Sequence, residues 1–262
     1  MKKLKEFLKL ENKRTLITGA ASGIGRAMAV RFAEAGSNLV LVDIQKQKLD
    51  DLAKELKEHK VSVKTYKVDL SSKKQIDRLW NYLKSDTPDI LINNAGIYPF
   101  RNFTDIDEKH YNKVMDINLN SVFWMCHNFV SQRDKKGGII VNVGSIEALL
   151  PFKKDLAHYS TSKAGVIALT RALANEYGRK GYKINVLLPG GIITEGTKGA
   201  AKLVFKFKKG LLNSAVKFKS RLSLGRLGEP DEVARMAVVL ASDLSSYMSG
   251  AVVAVDGGFL SA

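Results

Sequence analysis

Along the whole chain, short apolar runs alternate with helix-patterned segments, and this alternation narrows the possible folds more than any other feature. Strands are expected at residues 15–18, 38–43, 61–68, 90–93, 138–143, 182–188 and 251–255. Runs such as Leu39-Val40-Leu41-Val42 show no polar alternation. Both faces of such a strand must be covered, as in a parallel sheet flanked by helices. Segment 46–59 places Leu49, Leu52, Ala53 and Leu56 on one helical face and charge on the other. Strand–helix alternation over the full 262 residues predicts a doubly wound α/β fold with seven parallel strands. No linker, repeat or low-complexity tract interrupts it, so a single domain spanning 1–262 is expected.

The first strand–helix junction reads Thr18-Gly19-Ala20-Ala21-Ser22-Gly23-Ile24-Gly25. Glycines at such a junction let the backbone turn tightly and approach a pyrophosphate at the positive end of the next helix. The spacing is G-x-x-x-G-x-G, so the commoner G-x-G-x-x-G fingerprint applies only loosely. Asp43 ends the second strand, eighteen residues beyond Gly25, where a carboxylate would accept hydrogen bonds from an adenosine ribose. It would repel a 2′-phosphate, and neither Ser22 nor Ile44 offers a cation in compensation. A Rossmann-type domain that prefers NAD(H) over NADP(H) is the expectation.

Tyr159 and Lys163 stand four residues apart, and Tyr159 is the only one of eight tyrosines with a lysine at that spacing. On a helix such positions share a face. An ammonium beside a phenol favours the phenolate and lowers its pKa from ~10. Lowering it by about three units takes roughly 4 kcal/mol, after which the phenol would serve as a general acid/base at neutral pH.

Taken together, the Gly-rich turn, Asn93-Asn94-Ala95-Gly96, Asn118, Ser145, Tyr159-x-x-x-Lys163 and Pro189-Gly190 followed by Thr194 resemble the short-chain dehydrogenase/reductase family, from Lys13 to Gly258. The resemblance implies an NAD-dependent oxidoreductase moving hydride between a secondary alcohol or ketone and nicotinamide. It implies that Ser145 hydrogen-bonds the substrate oxygen and that Tyr159 exchanges a proton with it. Lys163 would lower the tyrosine's pKa and hold the nicotinamide ribose, with Asn118 binding a relay water. Gly19, Ser22, Gly23, Ile24, Gly25, Asp43 and Ile44 would hold the adenosine and pyrophosphate, with Asn94, Ala95 and Gly96 packing beside them. Asp69 and Leu70 match a position that contacts adenine; Asp69 would equally cap the helix beginning near Ser72. Pro189, Gly190, Ile192 and Thr194 would close over the nicotinamide, on a loop that Gly191 makes more flexible. His158 is read as structural. No metal site is expected.

One cysteine, Cys126, excludes a disulfide framework, and no stretch reaches the ~18 apolar residues that would span a bilayer. The N-terminus lacks a signal-peptide core, so a cytoplasmic protein is expected. The net charge of +16 reads mostly as solvated lysines on helix faces, with neither nucleic-acid nor membrane partners. Residues 195–226 combine Val204, Phe207, Leu211, Ala215 and Phe218 at helical spacing with many lysines. This pattern is expected to form an amphipathic substrate lid. The wall residues Tyr98, Ile146, Glu147, Leu150, Pro151 and Phe152 mix apolar and charged character. Glu147 would either accept hydrogen bonds from a polyol or pair with a lid lysine. A 3-ketoacyl thioester reductase is the alternative function; Asp43, and Asn175 where such reductases carry a base, argue against it. Helix 112–131 carries Val114, Met115, Leu119, Val122, Phe123 and Cys126, more apolar surface than one sheet face should cover, and a homotetramer is expected.

Overall fold

The computed structural model describes residues 3–195 and 218–262. The strands are β1 (Arg14–Thr18), β2 (Asn38–Asp43), β3 (Val63–Lys67), β4 (Ile90–Asn93), β5 (Gly138–Val143), β6 (Tyr182–Pro189) and β7 (Val252–Val255). They form one parallel sheet in the order β3-β2-β1-β4-β5-β6-β7. The chain leaves β1 first toward β3 and then returns to the other side of it, so the order reverses between β1 and β4. Ligand crevices form at the carboxyl ends of the strands at such a point.

Flanking helices are α1 (Gly23–Glu34), α2 (Lys46–Glu55), α3 (Lys73–Leu83), α4 (Glu108–Met115), α5 (Ser121–Arg133), α6 (Ala157–Tyr177) and α7 (Pro230–Ala241). Because side chains alternate across a strand, each strand feeds two cores. Ile17, Leu39, Leu41 and Ile92 face α1, α2 and α7, with Met28, Phe32, Leu49 and Val233 behind them. Leu16, Val40, Val42 and Leu91 face α3, α5 and α6, with Leu79, Trp80, Phe129 and Val166. These side chains are almost wholly buried, and each contributes about 2 kcal/mol relative to exposure.

Three sequence expectations change in detail. The third strand is shorter than 61–68, because Ser62 and Val68 bond the flanks of β2 at Asn38, Leu39 and Asp43 rather than extending the ladder. Segment 46–59 tightens to a 3₁₀ turn at Leu56–His59, ended by Lys60 at φ +57°. Segment 112–131 is not one helix: α4 and α5 are joined by a π-helical turn, Asp116–Asn120. Within it Val114, Val122 and Cys126 are buried in the chain's own core, and Phe123 is the large apolar group left exposed. The apolar surplus expected on that segment is therefore mostly absorbed by the fold. The proposed lid lies largely outside the described residues. No described helix is long and apolar enough to cross a membrane.

Candidate active site

The Gly-rich turn is held against the end of β4 at van der Waals limits. Gly19 has φ +66°, and a Cβ there would come 2.8 Å from Ala95 Cα. A Cβ on Gly25 would meet the Gly19 carbonyl at 2.1 Å, so the first turn of α1 can lie this close only with glycine. Asn94 Nδ2 donates to the Thr18 and Gly19 carbonyls at 3.0 and 3.2 Å. The Thr18 hydroxyl accepts from the Asn94 and Ala95 amides at 3.0 and 3.1 Å. Asn94 is thus a clamp on the turn as well as a small-residue neighbour of the crevice, and Thr18 is a partner that the sequence reading passed over.

Ser22 is the N-cap of α1, and its hydroxyl makes no capping bond to the first-turn amides. Those amides, with Ile24 among them, are therefore free of a side-chain cap at the positive end of a twelve-residue helix, which suits a phosphate. Asp43 is nearly buried, with Oδ2 accepting from the Ala21 amide at 3.1 Å and Oδ1 from the Gln45 amide at 3.0 Å. It shapes the turn as well as carrying charge at the end of β2, and Ile44 beside it is exposed. Across the crevice a Cβ on Gly23 would touch Thr194 Cγ2 at 3.3 Å, so the turn and the segment after β6 meet here.

Asp69 Oδ1 accepts from the Ser71 amide and hydroxyl at 2.9 and 2.7 Å, next to the buried Leu70. The cap of α3 is Ser72, whose hydroxyl accepts from Gln75. Asp69 thus shapes the approach to that helix without capping it.

The loop after Pro189 is packed rather than slack. Gly190 donates to Val255 at 3.0 Å, and Gly228 donates to the Gly191 carbonyl at 3.0 Å. A Cβ on Gly191 would stand 2.4 Å from the Phe218 ring. Gly191 is there to let Phe218 in, which corrects the expectation of added flexibility. Ile192 is buried and bridges to Gly228.

At the carboxyl end of β5, Ser145 is the N-cap of a short 3₁₀ turn, its Oγ accepting from the Glu147 amide at 3.2 Å. The phenol of Tyr159, in the first turn of α6, faces the same hydroxyl, whose polarity favours the phenolate. Tyr98 packs edge-on against Tyr159 at 4.6 Å between ring centres. Lys163 follows one turn later, and its Nζ donates to the Val143 carbonyl at 2.8 Å. A Cβ on Gly96 would lie 3.4 Å from that Nζ and 3.3 Å from Asn118 Oδ1.

Asn118 is fully buried in the π-helical turn. Its amide bonds the Ile97 main chain on both sides (2.8 and 2.9 Å) and reaches the Ser162 hydroxyl at 3.3 Å. These bonds fix the loop that carries Tyr98. His158 is also buried, 3.1 Å from the Pro99 carbonyl and 3.3 Å from His110 Nε2, which fits a structural role.

The electrostatics reverse one expectation. Burial pushes the Tyr159 phenol up to about 12; the Ser145 hydroxyl opposes this and the charge of Glu147 adds to it. Burial brings Lys163 down to about 8. The lysine does not depress the tyrosine here, because its proton-bearing end is turned to the Val143 carbonyl and desolvation dominates both groups.

The family model described as enoyl-(acyl carrier protein) reductase matches residues 19–260. The chain belongs to the short-chain dehydrogenase/reductase family. Its relatives in that family include the 3-oxoacyl-(acyl-carrier-protein) reductase of Thermotoga maritima, 36% identical over 256 residues that cover 97% of this chain and 100% of the relative. L-sorbose reductase from Gluconobacter frateurii, solved with NADPH and L-sorbose, superposes with a TM-score of 0.89 at 28% identity, covering 98% of this chain and 99% of that one. A 7α-hydroxysteroid dehydrogenase solved with NADH gives 0.88 at 28% identity, with 98% of each chain covered. A short-chain dehydrogenase/reductase is an oxidoreductase on a Rossmann-type nucleotide-binding fold, and this chain has both the fold and the crevice.

Proposed function

We propose that the protein is an NAD(H)-dependent dehydrogenase/reductase acting on a secondary alcohol or its ketone. The observation that carries this reading is the gathering of the Ser145 hydroxyl and the Tyr159 phenol at the carboxyl edge of the sheet, with Lys163 a turn away beneath Gly96. The residues around the crevice suit a dinucleotide: glycines that a Cβ would jam, first-turn amides free of a side-chain cap, and a carboxylate at the end of β2. When bound, the nicotinamide accepts or supplies the hydride at the carbinol carbon. Ser145 donates a hydrogen bond to the substrate oxygen. Tyr159, held protonated at neutral pH, gives its proton to that oxygen as a ketone is reduced, leaving a phenolate that is reprotonated from solvent; in the reverse direction the phenol first loses its proton to solvent and then takes the alcohol's. Lys163 holds the floor of the site through Val143, with its ammonium close beneath Gly96.

Asp43 supports NAD(H) as the cofactor, since solved relatives carry either NADPH or NADH. A 3-ketoacyl thioester reductase is the second reading, favoured by the similarity to the Thermotoga maritima enzyme. Turnover of a panel of sugars, polyols, hydroxy acids and ketoacyl thioesters with NAD(H) and NADP(H) tests both readings. Tyr159→Phe is expected to lower turnover of whichever substrate is used by about a hundredfold or more while keeping cofactor affinity. Activity within a few-fold of wild type would refute the assignment.

A further inference from the structure

Next to Tyr159 lies a cation that the proposed proton transfer does not use. Lys153 sits in the loop between β5 and α6, and its ammonium lies over three aromatic rings: Tyr98 at 5.6 Å, Phe100 at 5.7 Å and Phe218 at 5.9 Å from their centres. The Tyr98 ring is in turn 4.6 Å from that of Tyr159, so the ammonium stands within about 10 Å of the Tyr159 ring centre. The box is itself braced: Tyr98 packs edge-on against Phe100, and Phe218 stacks on Phe259.

Asp155, two residues on, makes no ion pair with the ammonium among the described residues, and Glu147 is committed elsewhere. It is buried, and its Oε2 accepts from the Phe152 amide at 3.0 Å. Glu147 therefore fixes the backbone just before Lys153, and among the described residues it does not close an ion pair with the ammonium. Burial lowers the Lys153 pKa more than Glu147 raises it, as expected for a cation that has lost water without a close counter-ion. The side chain as a whole keeps solvent access, so a small solute can reach it.

We propose that Lys153 is the subsite for a carboxylate on the substrate, and that the protein acts on hydroxy acids or their keto acids. This rests on the dehydrogenase reading above. The aromatic faces hold the ammonium in place, so an arriving carboxylate meets a preoriented charge. It also neutralises the unfavourable field of Glu147 that an anion beside Tyr98 would otherwise meet. The net charge of +16 favours the approach of anions over the whole surface.

The test compares wild type, Lys153→Gln and Lys153→Arg on matched probes: 3-hydroxybutyrate against its methyl ester, and gluconate against sorbitol. Calorimetric binding of the two acids to the cofactor-loaded protein is measured alongside. Wild type is expected to favour the acids. Lys153→Gln is expected to lower the acid-to-neutral ratio of kcat/KM by tenfold to a hundredfold, mainly through KM, and to weaken acid binding equally. Lys153→Arg should keep the ratio within a few-fold. A ratio unchanged in Lys153→Gln, or acids that bind wild type no better than the variant, overturns the proposal, because a mere aromatic brace would affect both probes alike. Lys153-dependent acid binding without turnover of any probe would sink the dehydrogenase reading and leave the anion subsite standing.

Discussion

Lys163→Met separates what Lys163 costs the fold from what it gives the site. The ammonium is nearly inaccessible, and burial lowers its pKa from the ordinary 10.5 to about 8. Between those two values the unfolded chain binds more protons than the folded one, so wild-type stability rises as the pH is raised through that window. At pH 7 both states carry the proton, and the folded state is penalised by about 3 kcal/mol, since a tenfold change in proton affinity corresponds to ~1.4 kcal/mol. By pH 9.5 the folded lysine is neutral, and roughly 2 kcal/mol of the penalty has gone. Methionine has similar length and no charge. It loses the bond to the Val143 carbonyl, worth ~1 kcal/mol, but that loss does not vary with pH. The stability of the variant minus that of wild type should therefore fall by about 2 kcal/mol between pH 7 and 9.5, or roughly 4–8 °C in melting temperature. Urea denaturation of both proteins without cofactor, at several pH values, measures it. A difference constant to within about half a kcal/mol would show that Lys163 is not a buried, depressed ammonium, and would remove the basis for its assigned place beneath Gly96.

Wild type should prefer NAD(H) over NADP(H) by at least about tenfold in kcat/KM, because Asp43 opposes a 2′-phosphate. Asp43→Asn, which keeps the shape and one of the two backbone bonds, should narrow that preference; equal use of both cofactors by wild type would refute it. Light scattering is expected to show a tetramer, and a species at the chain mass of 28.9 kDa would refute the association inferred from family resemblance and the exposed Phe123.

The sheet was legible because its signal is local. A strand covered on both faces must be apolar at consecutive positions, so Asn38–Asp43, Ile90–Asn93 and Gly138–Val143 begin and end where the apolar runs do. The boundaries that moved furthest are those of β3 at the rim, which is only half covered so that the pattern fades, while β1, β6 and β7 each shift by one residue. The break in helix 112–131 left no sequence signal, since a π-helical turn keeps the same apolar periodicity on both sides. Lys153 was invisible for a related reason. A lysine in a loop reads as solvated until Tyr98, Phe100 and Phe218, distant in the chain, are brought around it.

The sequence alone determined the layered α/β architecture, the Gly-rich turn and the Ser145, Tyr159 and Lys163 set, because each depends on residue type at a fixed spacing. Only the tertiary structure decided the electrical state of that set. A pKa follows from solvent exclusion and from the direction in which a side chain points, and both are set by contacts between remote segments. Spacing put the ammonium one helical turn from the phenol. The fold turned it toward the Val143 carbonyl and buried both groups, so the phenol is held up at about 12 and the lysine down at about 8.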